Sequence, residues 1–438
     1  MTEAIVVGGG VAGLLAARDL AKAGVHVVLV EASGALGGMI RRHTVAGIDL
    51  DMAADSFATR TDAVSSLAIE LGLGNEIVSP DPRGAWLMTR DGRTAPMPAT
   101  GLLGIPGVPM AADVLAVVGQ GGGIRAQMDS LLPAPVGARA TSLGAMVRKR
   151  MGAKVLDDLV VPVVAGVHST HPDDLDPDRV APGLRDALLR EGSLARAVLA
   201  LRERATAGSA VQGIRGGIVR IVDELIADLE TWHVDVRLHT RVTRVERAAV
   251  DVVGADGTTE RLVADHVLSA VSDPTRATAA TRTGIELVTL VVDQPELDAA
   301  PRGTGMLVHP AATGVRAKAL THATVKWPWL ADAAGGRHVL RLSYATPAAD
   351  AADVATSLPV DPRGETGVRA TTDASALLGL PVDAARVLGA ASVRWHGPDT
   401  QAAGLAEGVV GIGEASRGRG LSGIVTTTRA AVRELLGS

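Results

Sequence analysis

An α/β fold built around a parallel, nucleotide-binding sheet is the class this sequence predicts, and three observations carry it. The apolar run Ala4-Ile5-Val6-Val7 leads straight into Gly8-Gly9-Gly10-Val11-Ala12-Gly13 and a helical stretch. A second apolar run, His26-Val27-Val28-Leu29-Val30, stops at the acid Glu31. Near the other end, Gly408-Val409-Val410-Gly411-Ile412-Gly413-Glu414 reads as a strand closing on glycine and an acid, with a last helix after it. Strand, glycine turn, helix, strand and acid is the order of a Rossmann-like dinucleotide site. Gly8 permits the tight turn, Gly10 lets the backbone approach a pyrophosphate, Gly13 lets helix and strand pack closely, and Glu31 accepts hydrogen bonds from a ribose diol. The phosphates sit at the positive helix end. An acid after the second strand favours a ribose without a 2′-phosphate.

The elements follow in order. The first helix spans residues 11–23 and Gly24 stops it. A hairpin is expected over residues 41–52, turning at Ala46-Gly47. Thr61 and Asp62 offer caps to a helix whose stripe is Val64, Leu67, Ala68 and Leu71 and which Gly72 ends. Residues 93–207 read as a helical insert broken by Pro96, Pro98, Pro106, Pro109 and the glycines at 119–123. Gly213-Ile214-Arg215-Gly216-Gly217 then opens a helix over 218–229, with Ile221, Val222, Leu225 and Leu229 at helical spacing, followed by strands at 234–238, 240–245 and 266–270. Residues 276–380 carry short alternating segments, among them 306–308 and 339–344, and predict a mostly antiparallel sheet that walls a cavity. The last helix is expected over 424–436, after a turn containing Gly418, Gly420 and Gly423. The expected organisation is a discontinuous nucleotide-binding domain (1–80, 208–275, 385–438), a helical subdomain (81–207) and a sheet domain (276–384).

With 438 residues, 47% of them hydrophobic and 21% charged, the chain is globular and long enough for more than one domain. Uncharged stretches such as 101–112 carry Gly and Pro and fall short of a membrane span. No basic segment precedes the first apolar run, so the expected location is the cytoplasm, with no integral membrane segment. A net charge of −5 argues against nucleic acid. The absence of cysteine excludes disulfides, thiolate metal sites and a cysteinyl link to a cofactor. His168 and His171 lie in a loop-like Ser/Thr/Asp/Pro context, and no metal site is expected. Aromatic residues make up only 2%, with Phe57 and Tyr344 alone of their types, too few for an aromatic cage around an amine.

The stretch Glu31-Ala32-Ser33-Gly34-Ala35-Leu36-Gly37-Gly38-Met39-Ile40-Arg41 resembles the extended flavin motif of the flavin amine oxidase superfamily, an acid followed after five residues by a glycine pair and then an arginine. Further segments resemble the protoporphyrinogen/coproporphyrinogen oxidase family within it: Ala53-Ala54-Asp55-Ser56-Phe57, residues 159–168, Arg215-Gly216-Gly217, Lys326-Trp327-Pro328 and Ser416-Arg417-Gly418-Arg419-Gly420. Where that family usually has Gly-Pro before Asp-Ser-Phe, this chain has Ala53-Ala54, and the usual Pro-Gln-Tyr and Gly-His are absent from residues 395–404.

The resemblance implies a glutathione-reductase/amine-oxidase type fold holding noncovalent FAD. It implies contacts from Gly8, Gly9, Gly10, Val11, Ala12, Gly13, Glu31, Ala32, Gly37, Gly38, Met39, Arg41, Ala53, Ala54, Asp55, Ser56, Val242, Trp395, Gly413, Glu414, Gly420 and Leu421. Glu414 reads as a ligand of cofactor hydroxyls or as a loop acid, and Asp55 as a flavin contact or a turn cap. The implied activity is oxygen-using oxidation of a porphyrinogen to a porphyrin in heme biosynthesis, with hydride transfer to flavin N5 in three rounds and hydrogen peroxide released. The substrate is coproporphyrinogen III, or else protoporphyrinogen IX, and the product would pass to a ferrochelatase. The flavin carries the chemistry, so no acid/base pair is demanded. Lys326 is the one catalytic candidate, with a structural salt bridge as its other reading. Arg60, Arg83, Arg93 and Lys326 are the cations offered to propionates. The alternatives are an amine oxidase or desaturase, and an FAD-binding homologue without turnover.

Overall fold

Parallel pairing starts from the two strands that flank the glycine turn. β1 (Glu3–Val7) lies beside β2 (His26–Val30), with Val7 opposite Val30, and on its other edge beside His266–Ser269, with Val7 opposite Ser269. Asp235–Arg237 joins β2 and Val410–Gly411 joins His266–Ser269, giving a five-stranded, wholly parallel sheet. Both faces of β1 are apolar because both are covered. Ala4 and Val6 pack with α1 (Val11–Lys22) and the helices Val219–Thr231 and Gly420–Leu436. Ile5 and Val7 pack on a three-stranded antiparallel sheet, Arg241–Glu246, Ala249–Val253 and Thr259–Val263. α1 buries Leu14, Leu15, Ala16, Ala17 and Leu20 completely, each leucine contributing roughly 1.5–3 kcal/mol. This computed structural model describes residues 2–59, 61–168, 170–204, 211–271, 284–347, 356–396, 405–416, 418 and 420–437, the side chains of Val167, His168, Arg204 and Glu414 excepted.

The second sheet has eight strands in the order Thr356–Pro359, Val387–His396, Gly284–Val292, His338–Thr346, Ala319–His322, Gly305–Val308, Trp86–Met88, Thr94–Pro96. It is antiparallel except where Gly305–Val308 runs parallel to Trp86–Met88. One face packs Val288, Leu290, Leu340 and Leu342 against Ala370, Ala374 and Leu377 of the helix Glu365–Leu378. The other packs Val291, Val339 and Ala391 against a hairpin, β3 (Arg42–Val45) and β4 (Ile48–Asp51), together with Trp327 and Leu330. A layer of helices, including Leu143–Met151, Val161–His168 and Leu194–Arg204, closes the molecule beyond Trp86–Met88.

Several expected elements come out differently. Trp86–Met88 and Thr94–Pro96 are strands of the large sheet, inside or beside the stretch read as helical. Three-residue strands show no periodicity, and their partners at 306–308 lie far along the chain. The glycines at 119–123 bend one helix, Ala112–Gln127, at Gly119 rather than ending it. Val387–His396, expected with the nucleotide-binding segments, pairs along Gly284–Val292 in the large sheet. Glu365–Leu378 is a helix within the span read as alternating strands. The C-terminal helix starts at Gly420, four residues earlier than its apolar pattern announced. Asp62 occupies the N-cap of Ala63–Glu70, but its side chain makes no capping bond.

Candidate functional site

The two ends of the chain meet at the start of α1. Gly413, at φ +59°, lies so close that a Cβ there would stand 2.5 Å from the Ala12 Cβ. Ile412 N–H donates to the Ser269 carbonyl (2.9 Å), and the Ser422 hydroxyl donates to the carbonyl of Ala58 (3.0 Å). Gly420 and Leu421 open the last helix in this same region, and Val11 and Ala12 are buried beneath it. The Glu414 side chain, Arg417, Arg419, residues 397–404 and Arg60 lie outside the described residues.

Between these ends sits a glycine cradle. A Cβ on Gly13 would fall 1.8 Å from the Gly8 carbonyl oxygen, so only glycine lets the helix approach the turn. Gly10 and Gly37 form an isolated parallel bridge, Gly37 N–H donates to Gly9 O (2.8 Å), and a Cβ on Gly38 would meet the Gly10 Cα at 3.1 Å. Gly10 is the N-cap of α1 and no side chain caps the helix, which leaves its positive end available to an anion. Glu31 spans the cradle: Oε2 accepts from Gly9 N–H (2.7 Å) and Oε1 from Ser33 N–H (2.8 Å). Each carboxylate oxygen keeps a further lone pair for a ribose hydroxyl. Arg41 Nε donates to the Gly38 carbonyl (3.1 Å), closing the loop in which Ala32 and Met39 are exposed. Val242 is buried between the parallel and three-stranded sheets, in one cluster with Val7 and Val30, the residues that precede Gly8 and Glu31. A dinucleotide-bearing cofactor fits this cradle, because a side chain at Gly13 or Gly38 would collapse the close approaches that form it.

A charged cluster lies beyond the hairpin. Lys326, ending the short helix Ala323–Lys326, donates from Nζ to Asp55 Oδ1 (2.8 Å) and to Ser56 Oγ (3.2 Å). Trp327 Nε1 donates to Asp55 Oδ2 (3.1 Å), and the buried Trp327 ring packs over Gly213. Burial would raise the Asp55 carboxyl, but Lys326 and Arg341 hold it well below the usual carboxylate range. Ala53 is half-buried and Ala54 exposed, while Trp395 packs against Met52 and Val393. Thus the structure brings Asp55 and Lys326 together as an ion pair.

Two residues here escaped the sequence reading. Arg341 reaches from the middle of His338–Thr346 to the loop after β4, and Asp51 caps the Val219–Thr231 helix region by accepting from Ile218 and Val219 N–H (both 3.0 Å). Burial pushes the Asp51 carboxyl up to about 6, against the pull of those two N–H groups. A signal for Arg341 existed in Val339-Leu340-Arg341-Leu342, a lone charge on a buried strand. Gly217 signals Asp51, since a Cβ there would stand 2.8 Å from its Oδ1. Of the cations offered to propionates, Arg83 is paired with Asp81 (2.8 Å), Arg93 with Asp91 (2.7 Å) and Lys326 with Asp55. Among the described residues no helix is long and apolar enough to cross a membrane.

Residues 11–308 match the family model of flavin-containing amine oxidoreductases. The chain is 27% identical over 287 residues to the coproporphyrinogen III oxidase of Propionibacterium freudenreichii, covering 58% of this chain and 53% of that one, so it spans about half the length of that relative. It is 28% identical over 358 residues to the coproporphyrinogen III oxidase of Mycobacterium tuberculosis H37Rv, covering 77% and 75%. In fold it superposes on an Exiguobacterium sp. 255-15 protein assigned as a protoporphyrinogen oxidase, with a TM-score of 0.79, 20% identity and 100% and 99% of the two chains covered.

Proposed function

We propose that this chain, which belongs to the flavin-containing amine oxidoreductase family, oxidises a porphyrinogen to a porphyrin with FAD and oxygen. The observation that carries the reading is the glycine cradle that both ends of the chain build beside an uncapped helix N-terminus, with the Asp55–Lys326 pair beyond the hairpin. The similarity to coproporphyrinogen III oxidases supports coproporphyrinogen III as substrate ahead of protoporphyrinogen IX.

When bound, the flavin supplies a hydride acceptor at N5 and a route for electrons to oxygen, with hydrogen peroxide as product. The start of α1 with Gly8 to Gly10 and Gly37-Gly38 would hold the diphosphate, Glu31 the adenosine ribose, and the Ala53–Ser56 loop with Gly413, Gly420 and Leu421 the remainder. With no cysteine in the chain a cysteinyl link to the flavin is excluded, which supports noncovalent FAD. Asp55 keeps the Lys326 ammonium in one place, and Ile285, Leu287, Val393 and Trp395, which share the sheet face of Arg341, form an apolar wall that keeps water from the reacting carbon. A cytoplasmic location and handover to a ferrochelatase belong to the same proposal, as does a three-part division of the chain in which Trp86–Met88, Thr94–Pro96 and Val387–His396 are counted with the sheet part.

Anaerobic titration of the FAD-loaded protein with coproporphyrinogen III, protoporphyrinogen IX and a panel of amines, followed by admission of air and peroxide detection, tests it. Bleaching by a porphyrinogen with peroxide on re-oxidation is expected. Bleaching by amines alone would replace the reading with an amine oxidase, and a flavin that none of them reduces would leave a binding protein without turnover.

A further inference from the structure

We propose that Arg341 is a positioning residue for the flavin-facing loop, one guanidinium fixing three successive carbonyls and the Asp55 carboxylate so that the loop and Lys326 are presented to the cofactor in a single arrangement. This rests on the reading above that the Ala53–Ser56 loop touches the flavin.

Arg341 is 6% exposed and stands opposite Thr289 on one neighbouring strand and Thr321 on the other, at the centre of the eight-stranded sheet. Its Nη2 donates to the carbonyls of Asp51 (3.1 Å), Met52 (3.4 Å) and Ala53 (2.5 Å). Its Nη1 lies 3.7 Å from Asp55 Oδ2. One nitrogen carries two hydrogens, so the three carbonyls share it, and a carbonyl moved away would lose its share. Residues 52–56 belong to no helix or strand. Their course is therefore set by what grips their carbonyls, and that grip comes from a strand 288 residues away. The same side chain lies between Asp51, at the N-terminus of the Val219–Thr231 helix, and Asp55, the partner of Lys326. Its Nε is buried with no partner among the described residues, and so is the Thr289 hydroxyl opposite. Its bonded donors thus all go to the segment from Asp51 to Asp55 rather than to the sheet around it. A lysine would keep the charge but lacks the fork that reaches carbonyls and carboxylate together.

The test compares Arg341→Lys and Arg341→Met with wild type as FAD-loaded protein. Arg341→Lys is expected to keep its far-ultraviolet circular dichroism while its flavin absorption band shifts and FAD binding weakens roughly 10-fold, with roughly 100-fold weakening for Arg341→Met, about one and two charged hydrogen bonds' worth. Reduction of the flavin by porphyrinogen should slow in the same order, with KM changed less than kcat. Unchanged flavin spectra and FAD affinity in both variants would overturn the proposal, even if their stability falls. If neither variant folds, hydrogen exchange on wild type decides: binding of FAD must protect the amides of residues 52–59, and equal exchange with and without FAD overturns it. Should no porphyrinogen reduce the wild-type flavin, the activity reading fails while the spectral, affinity and exchange readouts still judge Arg341.

Discussion

Replacing Asp55 with asparagine removes one charge from a site where two cations converge on it. Lys326 Nζ stands 2.8 Å and Arg341 Nη1 3.7 Å from its oxygens, and both carboxylate and ammonium are 17% exposed, so solvent screens them little. At an effective dielectric of about 20 the two attractions amount to roughly 6 and roughly 4 kcal/mol. The carboxylate's own desolvation cancels much of this, and the cost of removing one partner from such a buried pair is about 3–5 kcal/mol, because the other charge is left stranded. The substituted amide would keep an acceptor for Trp327 Nε1 but offer no charge to Lys326. Urea unfolding of Asp55→Asn, Lys326→Met and the double variant measures this as a cycle. The expected coupling is about 2 kcal/mol or more, since the double variant strands neither group. The sign with pH follows from the depressed carboxyl: its contribution is complete above the unfolded value of 3.8 and is lost as pH falls through the lower folded value. Wild type should therefore exceed Asp55→Asn by a constant margin from about pH 8 to about pH 5, and the margin should shrink only below about 4. A single-variant cost under about 1 kcal/mol, or an additive cycle, would refute the argument that the pair is desolvated and coupled.

Gly13→Ala places a methyl 1.8 Å from the Gly8 carbonyl oxygen; purified protein is expected to retain little flavin and to melt earlier, and wild-type flavin content would contradict the cradle. Arg150 is fully buried, paired with Asp129 and hydrogen-bonded to the carbonyls of Pro133, Val136 and Gly192. Arg150→Met should cost about 3–5 kcal/mol in urea unfolding while leaving the flavin spectrum of the folded fraction unchanged. His322 donates to or accepts from His338 at 3.0 Å, and burial, with His338 and Arg83 nearby, pushes it down to about 3. Its neutral form is kept at no cost above the unfolded value of 6.5, and stability is lost as pH falls from there toward 3, about 3 kcal/mol by about pH 4.5. His322→Gln should show a shallower decline over that range, and identical pH slopes would remove His322 as the cause.

What could be read from the sequence is what neighbouring residues decide among themselves. β1, the glycine turn, α1, β2 and Glu31 are written within one short stretch, and the contacts that shape them, Gly13 against Gly8 and Gly37 against Gly9, close over a few turns of chain. The hairpin at residues 42–51 is equally local. Trp86–Met88 was illegible because a three-residue strand has no period and its partner lies at 306–308. The break expected at Gly119 is a kink, because a glycine run permits a kink as readily as a stop, and only packing of Val117, Val118 and Ala126 into the helical core decides which. Lys326 and Asp55 were each visible as candidates, yet nothing local says that they touch.

The cradle for a dinucleotide comes from β1, α1 and the loop after β2, joined by the C-terminal segment, and needs only the parallel sheet. The charged cluster needs the other sheet as well: Asp55 follows the hairpin, Lys326 follows Ala319–His322, and Arg341 sits mid-strand beside it. Two cations are thus delivered to one carboxylate by segments of the antiparallel sheet that pair at its centre, while the carboxylate is delivered by the loop between β4 and the strand Phe57–Ala58. Within the assembled fold, removing any one of the three leaves another buried charge uncompensated. The ion cluster is therefore satisfied only when the loop after β4 is docked on the large sheet, which makes the Asp55→Asn cycle a measurement of that docking as much as of one ion pair.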